Sequence, residues 1–483
     1  MSKNPLESSF KEWNVQASLI AKRTNNPIRS IIENIVAKPN PKKPLIALSI
    51  GDPTTFGNLK PAKVMIEAMK ESIESQLYNG YAPSTGFEEA RRAVAEYSSN
   101  DNVTVDVKDV VLCSGCSCAL DLCITALARE GQNILIPRPG FSIYQTLAEA
   151  LGITVKFYKL SPELDWKIDL DDLETQIDAS TAAIVINNPS NPCGSVFSRQ
   201  HLLDILEIAF KYYVPIIADE IYEYMVFLGH TYHSLASLST QVPILSCSGL
   251  TKRFLVPGWR MGWIIIHDRQ NILDKEIRKA LQCLSQRIIG SNTIVQGALS
   301  KILKETPQKF FDNIMQTLHA HARLTYNYIS KIPGLTPIMP HGAMYMMVHI
   351  DLPSFPQFNT EIEFIERLLS EESVFCLPGQ CFSYPSYIRL VITVPQQLLK
   401  EACIRIQGFC IKYHIQNNST DSVNKRSERG ALSGNAKEAI RKDHVVAENA
   451  FKKDAGKASS QKRTPKNKDV DIHSNTQELR GKG

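Results

Sequence analysis

The sequence predicts an α/β protein in two unequal parts, a large, doubly wound, mostly parallel sheet domain and a smaller α+β domain. Three observations carry that prediction. Short runs rich in Ile and Val recur between about residues 105 and 300; helix-like amphipathic stretches separate them; and from about 307 the pattern changes to a long helical stretch, then strands around one further helix. Strands buried on both faces read as continuous apolar runs and belong to parallel sheets covered by helices. Their alternation with helices is the mark of a doubly wound fold.

The elements follow in order. At 483 residues the chain has room for two or three domains of about 150 residues each. Residues 1–60 are expected to form an N-terminal segment packed on the smaller domain, 61–310 the large domain, and 311–415 the smaller one. The strand candidates of the large domain are VVLCS, NILIP, TVKFY, AAIVIN, VPIIAD, PILSCS and GWIIIH. Between them, CALDLCITALAREG places Leu120, Cys123, Ile124 and Leu127 on one helical face, with Gly131 as its stop. HLLDILEIAFKYY has the same pattern. In the smaller domain, AMYMMVHI and IRLVITV read as strands and EIEFIERLLSE as a helix.

Residues 416–483 are different. They carry 15 Lys and Arg against nine Asp and Glu, a surplus of six that exceeds the +5 of the whole chain and leaves residues 1–415 at −1. With almost no aromatic residues, this stretch cannot bury enough surface to offset its ordering entropy, so a disordered basic tail is expected. Its KRTPKNK segment reads as solvated charge rather than a nucleic-acid arm. No run approaches the roughly 18 apolar residues of a membrane span. The opening MSKNPLESSFKEWNVQ has neither a secretory core nor an Arg-rich presequence, so a cytosolic setting is expected. Eleven cysteines without framework spacing suit reduced thiols there. One CxxC, Cys113 to Cys116, lacks the second ligand pair that a metal site needs, so no metal is expected.

In open parallel sheets, ligands sit outside the carboxyl ends of the strands. The residues just past each run are therefore the informative ones. After VVLC come Ser114, Gly115, Cys116 and Ser117, a small-residue turn opening a helix, which offers backbone N–H groups and a helix dipole to a phosphate. NILIP is followed by Phe141, AAIVIN by a loop holding Asn191, and VPIIAD ends at Asp219 with Tyr222 three residues on. PILSCS leads to Lys252, with Arg260 eight residues later. A phosphate loop, an aromatic ring, an amide, an acid with a phenol, and an amine suit pyridoxal 5′-phosphate: a lysine for its aldehyde, an acid for its ring nitrogen, donors for its phenolic oxygen.

SNPCG, ADEIY and SGLTKRFLVPGWRMGW resemble the fingerprints of the fold-type I pyridoxal-phosphate-dependent aminotransferases. The resemblance extends over roughly residues 13–414 and includes NNPSNPCGSVFS, SQRIIG and IRLVITVP in matching order. It implies that Lys252 carries the cofactor as a Schiff base and moves protons, that Asp219 faces the pyridine nitrogen, and that Tyr222 and Asn191 bond the phenolic oxygen. Phe141 would stack on the ring. Arg260 with Gly115, Cys116 and Ser117 would clamp the phosphate, and Tyr81, in NGYAPSTG, would reach the phosphate of a neighbouring subunit, making the active unit a homodimer. Arg389 would bind the substrate carboxylate bidentately, with Asn191 and Gly51 beside it. The segment Asn26-Pro27-Ile28-Arg29 resembles one lining the substrate pocket in this group. The implied activity is transfer of the amino group of L-tyrosine to 2-oxoglutarate, the entry to tyrosine breakdown.

Each residue alone has a plainer reading: Asp219 as a helix cap, Tyr222 or Phe141 as core, Asn191 as a turn former, Arg260 and Arg389 as ion-pair partners. Transfer from alanine, kynurenine or methionine, carbon–sulfur bond cleavage on the same fold, and a non-catalytic binding protein remain the rivals.

Overall fold

The computed structural model describes residue 13 and residues 15–415; the basic tail from 416 onward lies outside them. All seven apolar runs form strands of one eight-stranded sheet. In chain order these are β1 (Val110–Cys113), β2 (Asn133–Arg138), β3 (Thr154–Ser161), β4 (Lys167–Ile168), β5 (Thr181–Asn187), β6 (Ile216–Asp219), β7 (Ile244–Gly249) and β8 (Gly262–His267). Their spatial order is β1-β8-β7-β6-β5-β2-β3-β4. The pairs from β7 through β6, β5 and β2 to β3 are parallel, whereas β8 runs antiparallel to both β1 and β7. A parallel return needs a crossover of a dozen or more residues, usually a helix. The β7–β8 link contains only loop and a 3₁₀ turn, and the chain doubles back through it.

Both faces of the sheet are covered, and the alternation of side chains shows it. Ile134, Ile136, Val185, Ile217, Leu245, Ile264 and Ile266 enter one core, while Leu135, Ile184, Ile186, Ile216, Ile244 and Ile265 enter the other. Each such side chain, removed from water, contributes roughly 1.5–3 kcal/mol. TVKFY departs from the expectation of two buried faces. In β3, Thr154 and Lys159 are exposed and Phe157 only partly covered, because only the two-residue β4 lies beyond it.

The helices follow the amphipathic reading. Cys116–Leu127 buries Leu120, Cys123 and Ile124. It ends before the expected stop, and Gly131 instead serves the following turn at φ +88°. Arg199–Lys211 starts where Ser198 accepts a hydrogen bond from the His201 N–H at 3.3 Å, an N-cap that satisfies one orphan donor.

A second, fully antiparallel sheet contains β9 (Leu335–Pro337), β10 (Tyr345–Ile350), β11 (Leu377–Pro378) and β12 (Tyr387–Val391), ordered β9-β10-β12-β11. Helices Gln308–Ile329 and Glu361–Glu372 lie where the helical patterns put them. Pro27–Asn34 packs Ile28, Ile31 and Ile32 against Leu377, Cys381 and Phe382. The N-terminal stretch also touches the large sheet's helices, where Thr146 donates to the Asn25 carbonyl. Both sheets belong to one compact unit, joined where His341 and Gly342 donate their N–H groups to the Gly194 carbonyl.

One backbone contact places the loop after β1. A Cβ built on Gly262 would lie 2.5 Å from the Gly115 carbonyl carbon and 2.6 Å from the Cys116 nitrogen. The start of β8 therefore presses directly on the N-terminus of helix Cys116–Leu127. Gly262→Ala must push that turn away, and overpacking of this kind costs about 1–3 kcal/mol. A thermal melt should show a lower midpoint for Gly262→Ala; an unchanged midpoint would mean that the loop has slack.

Candidate active site

The carboxyl ends of β1, β2, β5, β6 and β7 share one edge of the large sheet, since β1 lies parallel to β7 across the intervening β8. Beside that edge, the N-terminal stretch and the small sheet enclose a cleft of about 480 Å³. Lys252, Asp219, Tyr222, Asn191, Arg260, Phe141, Cys116, Ser117, Arg389 and Gly51 all line it. Gly115 borders it through Arg260. Tyr81 does not: it is 87% exposed on the surface of the chain.

Asp219 closes β6 and is 2% exposed. Its Oδ2 accepts the Tyr144 hydroxyl at 2.6 Å, and its Oδ1 accepts the Ile221 N–H at 3.2 Å and the Cys116 thiol at 3.6 Å. Burial pushes its carboxyl above the ordinary range, while these three donors and the Lys252 charge act against that rise. A buried carboxylate in this state gains most from a cation placed before it. Tyr144, on the first turn of helix Ile143–Ala150, was not among the sequence candidates. An aromatic residue in FSIYQTL reads as core, although its place three residues after Phe141 puts both rings at the same strand end, edge to face at 6.0 Å.

Lys252 follows β7 and donates from Nζ to the Gly51 carbonyl at 2.6 Å. Gly51 has no room for a side chain, because its Cβ would stand 2.8 Å from the Tyr345 hydroxyl. Tyr345, at the start of β10, is the second residue that the sequence reading missed. Its hydroxyl meets that of Tyr222 at 2.7 Å. Burial holds the Tyr222 phenol well above its usual range, so it stays protonated.

Arg389, on β12, is 3% exposed. Its Nη1 donates to Asn191 Oδ1 at 2.9 Å and its Nη2 to the Ser49 carbonyl at 2.8 Å, while its buried Nε has no partner. Its guanidinium lies over the rings of Tyr345 and Phe382, at 4.3 and 4.9 Å from their centroids. Among the described residues no acid pairs with it. Arginine only donates, so Asn191 must turn its oxygen to Arg389 and its amide nitrogen away from it.

Arg260 takes a left-handed backbone at φ 51° and donates to the Ser114 and Pro257 carbonyls at 3.0 and 3.2 Å. Its guanidinium fills the place of a Gly115 Cβ, which would lie 2.5 Å from Nη2. It too has no acid partner among the described residues. A cation thus stands at the N-terminus of helix Cys116–Leu127, a setting for a phosphate. The Cys116 thiol faces Asp219, which leaves the backbone of its turn for that anion.

The donor set fits pyridoxal phosphate: an anion cup at Arg260, a desolvated acid at Asp219, an amine at Lys252 and a ring at Phe141, all on one cleft. Asn26 caps helix Pro27–Asn34 by accepting the Arg29 N–H at 3.2 Å, and Ile28, Arg29, Ile32, Ile50 and Leu377 also line the cleft.

A second carboxylate points away from the cleft. Glu220 accepts the Leu235 N–H at 3.0 Å, and burial raises its carboxyl to about 7.

Residues 43–406 match the family described as "Aminotransferase class I and II". The chain is 55% identical over 414 residues to human tyrosine aminotransferase, covering 86% of this chain and 91% of that protein. It is 32% identical over 385 residues to the S-alkyl-thiohydroximate lyase of Arabidopsis thaliana, covering 79% and 83%. The crystal structure of tyrosine aminotransferase from Leishmania infantum superposes with a TM-score of 0.80 at 34% identity, over 84% of this chain and all of that one.

The Glu220 carboxyl predicts a pH dependence. Its folded value, about 7, lies above the 4.5 of an unperturbed glutamate. Its stabilising contribution is therefore full below about pH 4.5 and is lost as pH rises through 7, by up to roughly 3 kcal/mol. Glu220→Gln keeps an oxygen for the Leu235 N–H and cannot ionise. Relative to wild type, this variant should gain stability between pH 5 and pH 8 in paired thermal melts. A constant difference across that range would remove Glu220 as the source.

Proposed function

The chain belongs to the class I and II aminotransferases, and we propose that within that family it transfers the amino group of L-tyrosine to 2-oxoglutarate by a two-step, ping-pong reaction. The observation that carries this reading is a single cleft holding the Lys252 amine, the buried Asp219 and two arginines, Arg260 and Arg389, which have no acid partner among the described residues. The 55% identity to human tyrosine aminotransferase supports tyrosine as the donor.

The enzyme is pyridoxal-phosphate-dependent, as its family is. Lys252 would hold the cofactor by its amine, Arg260 and the Gly115–Ser117 turn its phosphate, Phe141 its ring face, and Asp219 its ring nitrogen. When bound, the cofactor supplies the electron sink for the pair left at the donor's Cα. The chain's residues do the rest. Asp219, already desolvated, would keep a proton on the ring nitrogen by its charge. Lys252 Nζ, once free, would remove the Cα proton as general base and, as general acid, deliver it across the amino nitrogen to the cofactor's C4′. Arg389 grips the α-carboxylate, and its fixed guanidinium orients Cα toward Lys252. Tyr222 and the Asn191 amide would hold the phenolic oxygen.

Both substrates must use one pocket. Ile28, Ile32, Ile50 and Leu377 offer an apolar wall to the phenol ring, and the Arg29 guanidinium at the rim suits the distal carboxylate of 2-oxoglutarate. Tyr81, exposed and not among the residues lining the cleft, would reach the phosphate of a second copy, which makes the working unit a homodimer. Eleven free thiols suit the reducing cytosol. Among the described residues no helix is long and apolar enough to cross a membrane.

The test is a survey of amino donors with 2-oxoglutarate, run beside an assay for β-elimination, on wild type and Arg389→Lys. Tyrosine should lead the survey. Lysine keeps the charge but loses the two-pronged geometry, so the variant should lose roughly 2–4 kcal/mol in kcat/KM. The loss should be similar for tyrosine, phenylalanine and glutamate, whose α-carboxylates are alike. A penalty confined to tyrosine would mean that Arg389 reads the side chain. Elimination outrunning transfer would make the enzyme a lyase.

A further inference from the structure

Tyr345 occupies a place that the reaction as described does not use. Its ring carries the Arg389 guanidinium at 4.3 Å, and its hydroxyl meets that of Tyr222 at 2.7 Å, the rings standing edge to face at 5.7 Å and 80°. Gly51 hems the hydroxyl from the other side, where even a methyl group would come within 2.8 Å. Tyr345 is 1% exposed and Tyr222 3%, so no bulk water competes for either proton.

Two hydroxyls in contact share one hydrogen bond, and only one of them donates in it. The buried Arg389 charge over the Tyr345 ring draws electron density from that ring and makes its O–H the stronger donor. We propose that Tyr345 is a positioning residue that sets the direction of this hydrogen-bond chain: it donates to Tyr222, and the Tyr222 proton is thereby kept for an acceptor in the cleft. Accepting one bond strengthens the bond that a hydroxyl gives, because hydrogen bonds in a chain polarise one another. The groups that face Tyr222 are Tyr345 and Arg389 from the small sheet and Asp219 from its own connection. Tyr345 therefore joins the residue that grips the substrate carboxylate to the residue that tunes the cofactor.

This inference rests on the reading of the cleft as the cofactor site with Tyr222 at the phenolic oxygen. It is tested by titrating the visible absorbance of the bound cofactor against pH in holoenzyme. The comparison needs wild type, Tyr345→Phe, Tyr222→Phe and the double variant. Phenylalanine keeps the ring beneath Arg389 and removes only the hydroxyl. A weaker Tyr222 bond favours the deprotonated cofactor less, so the Tyr345→Phe midpoint should move up by roughly 0.5–1 pH unit, the worth of one hydrogen bond. Tyr222→Phe should move it further, and the double variant should titrate like Tyr222→Phe alone, because Tyr345 acts through Tyr222. Binding of 3-(4-hydroxyphenyl)propionate, a carboxylate without an amine, should change less than about threefold in Tyr345→Phe, showing Arg389 still in place. A Tyr345→Phe midpoint equal to wild type, or a double variant in which the two shifts add, would overturn the inference alone. No shift in Tyr222→Phe would overturn the site reading and this inference together.

Discussion

Arg389 is a cation that the fold buries and, among the described residues, leaves without an acid. Taking a guanidinium out of water costs several kcal/mol even after relaxation, and an ion pair normally offsets that cost. Here the compensation is partial: two hydrogen bonds, to Asn191 and to the Ser49 carbonyl, two aromatic faces, and a third donor, Nε, unused. The register of the small sheet fixes the arrangement, setting Arg389 opposite Met347 on one side and Leu377 on the other. A carboxylate entering the cleft would complete what the chain leaves open. Much of the surrounding structure can be read from this one unsatisfied charge.

The opposite wall is built on the same principle with the sign reversed. Asp219 is a buried acid with three neutral donors and, among the described residues, no ion pair, lodged at the end of a central strand. A cofactor that is cationic at its ring nitrogen and anionic at its phosphate would satisfy Asp219 and Arg260 together. On the proposed reading the large sheet would supply the acid and the anion cup, and the small sheet the carboxylate grip. Tyr222 and Tyr345 meet between them. Glu220, the next residue after Asp219, shows how local the design is, since its carboxyl faces Leu235 and takes no part in the cleft.

The fold was legible in the sequence wherever burial alone decides. Apolar runs located every major strand of the large sheet, because a strand covered on both faces leaves no polar position to hide it. The same logic missed the exposure of β3, since an edge depends on which strand ends up outermost. It was also silent on the antiparallel β8, because GWIIIH reads the same in either direction. Asp219, Asn191 and Lys252 were legible as polar residues at strand ends. Tyr144 and Tyr345 were not, because a tyrosine among apolar residues reads as packing and only its hydroxyl's partner reveals otherwise. Gly51 was named without a reason; the reason is a tyrosine hydroxyl that arrives from residue 345. Tyr81 finds no place in a single chain at all.

The role proposed for Arg389 is, above all, that of partner to a carboxylate. Anything that binds the folded state alone raises its melting temperature, so the most direct measurement is the thermal shift produced by 3-(4-hydroxyphenyl)propionate in wild type and in Arg389→Met. The ligand should raise the midpoint of wild type and leave that of Arg389→Met where it was. Equal shifts in the two proteins would show that the carboxylate is held elsewhere.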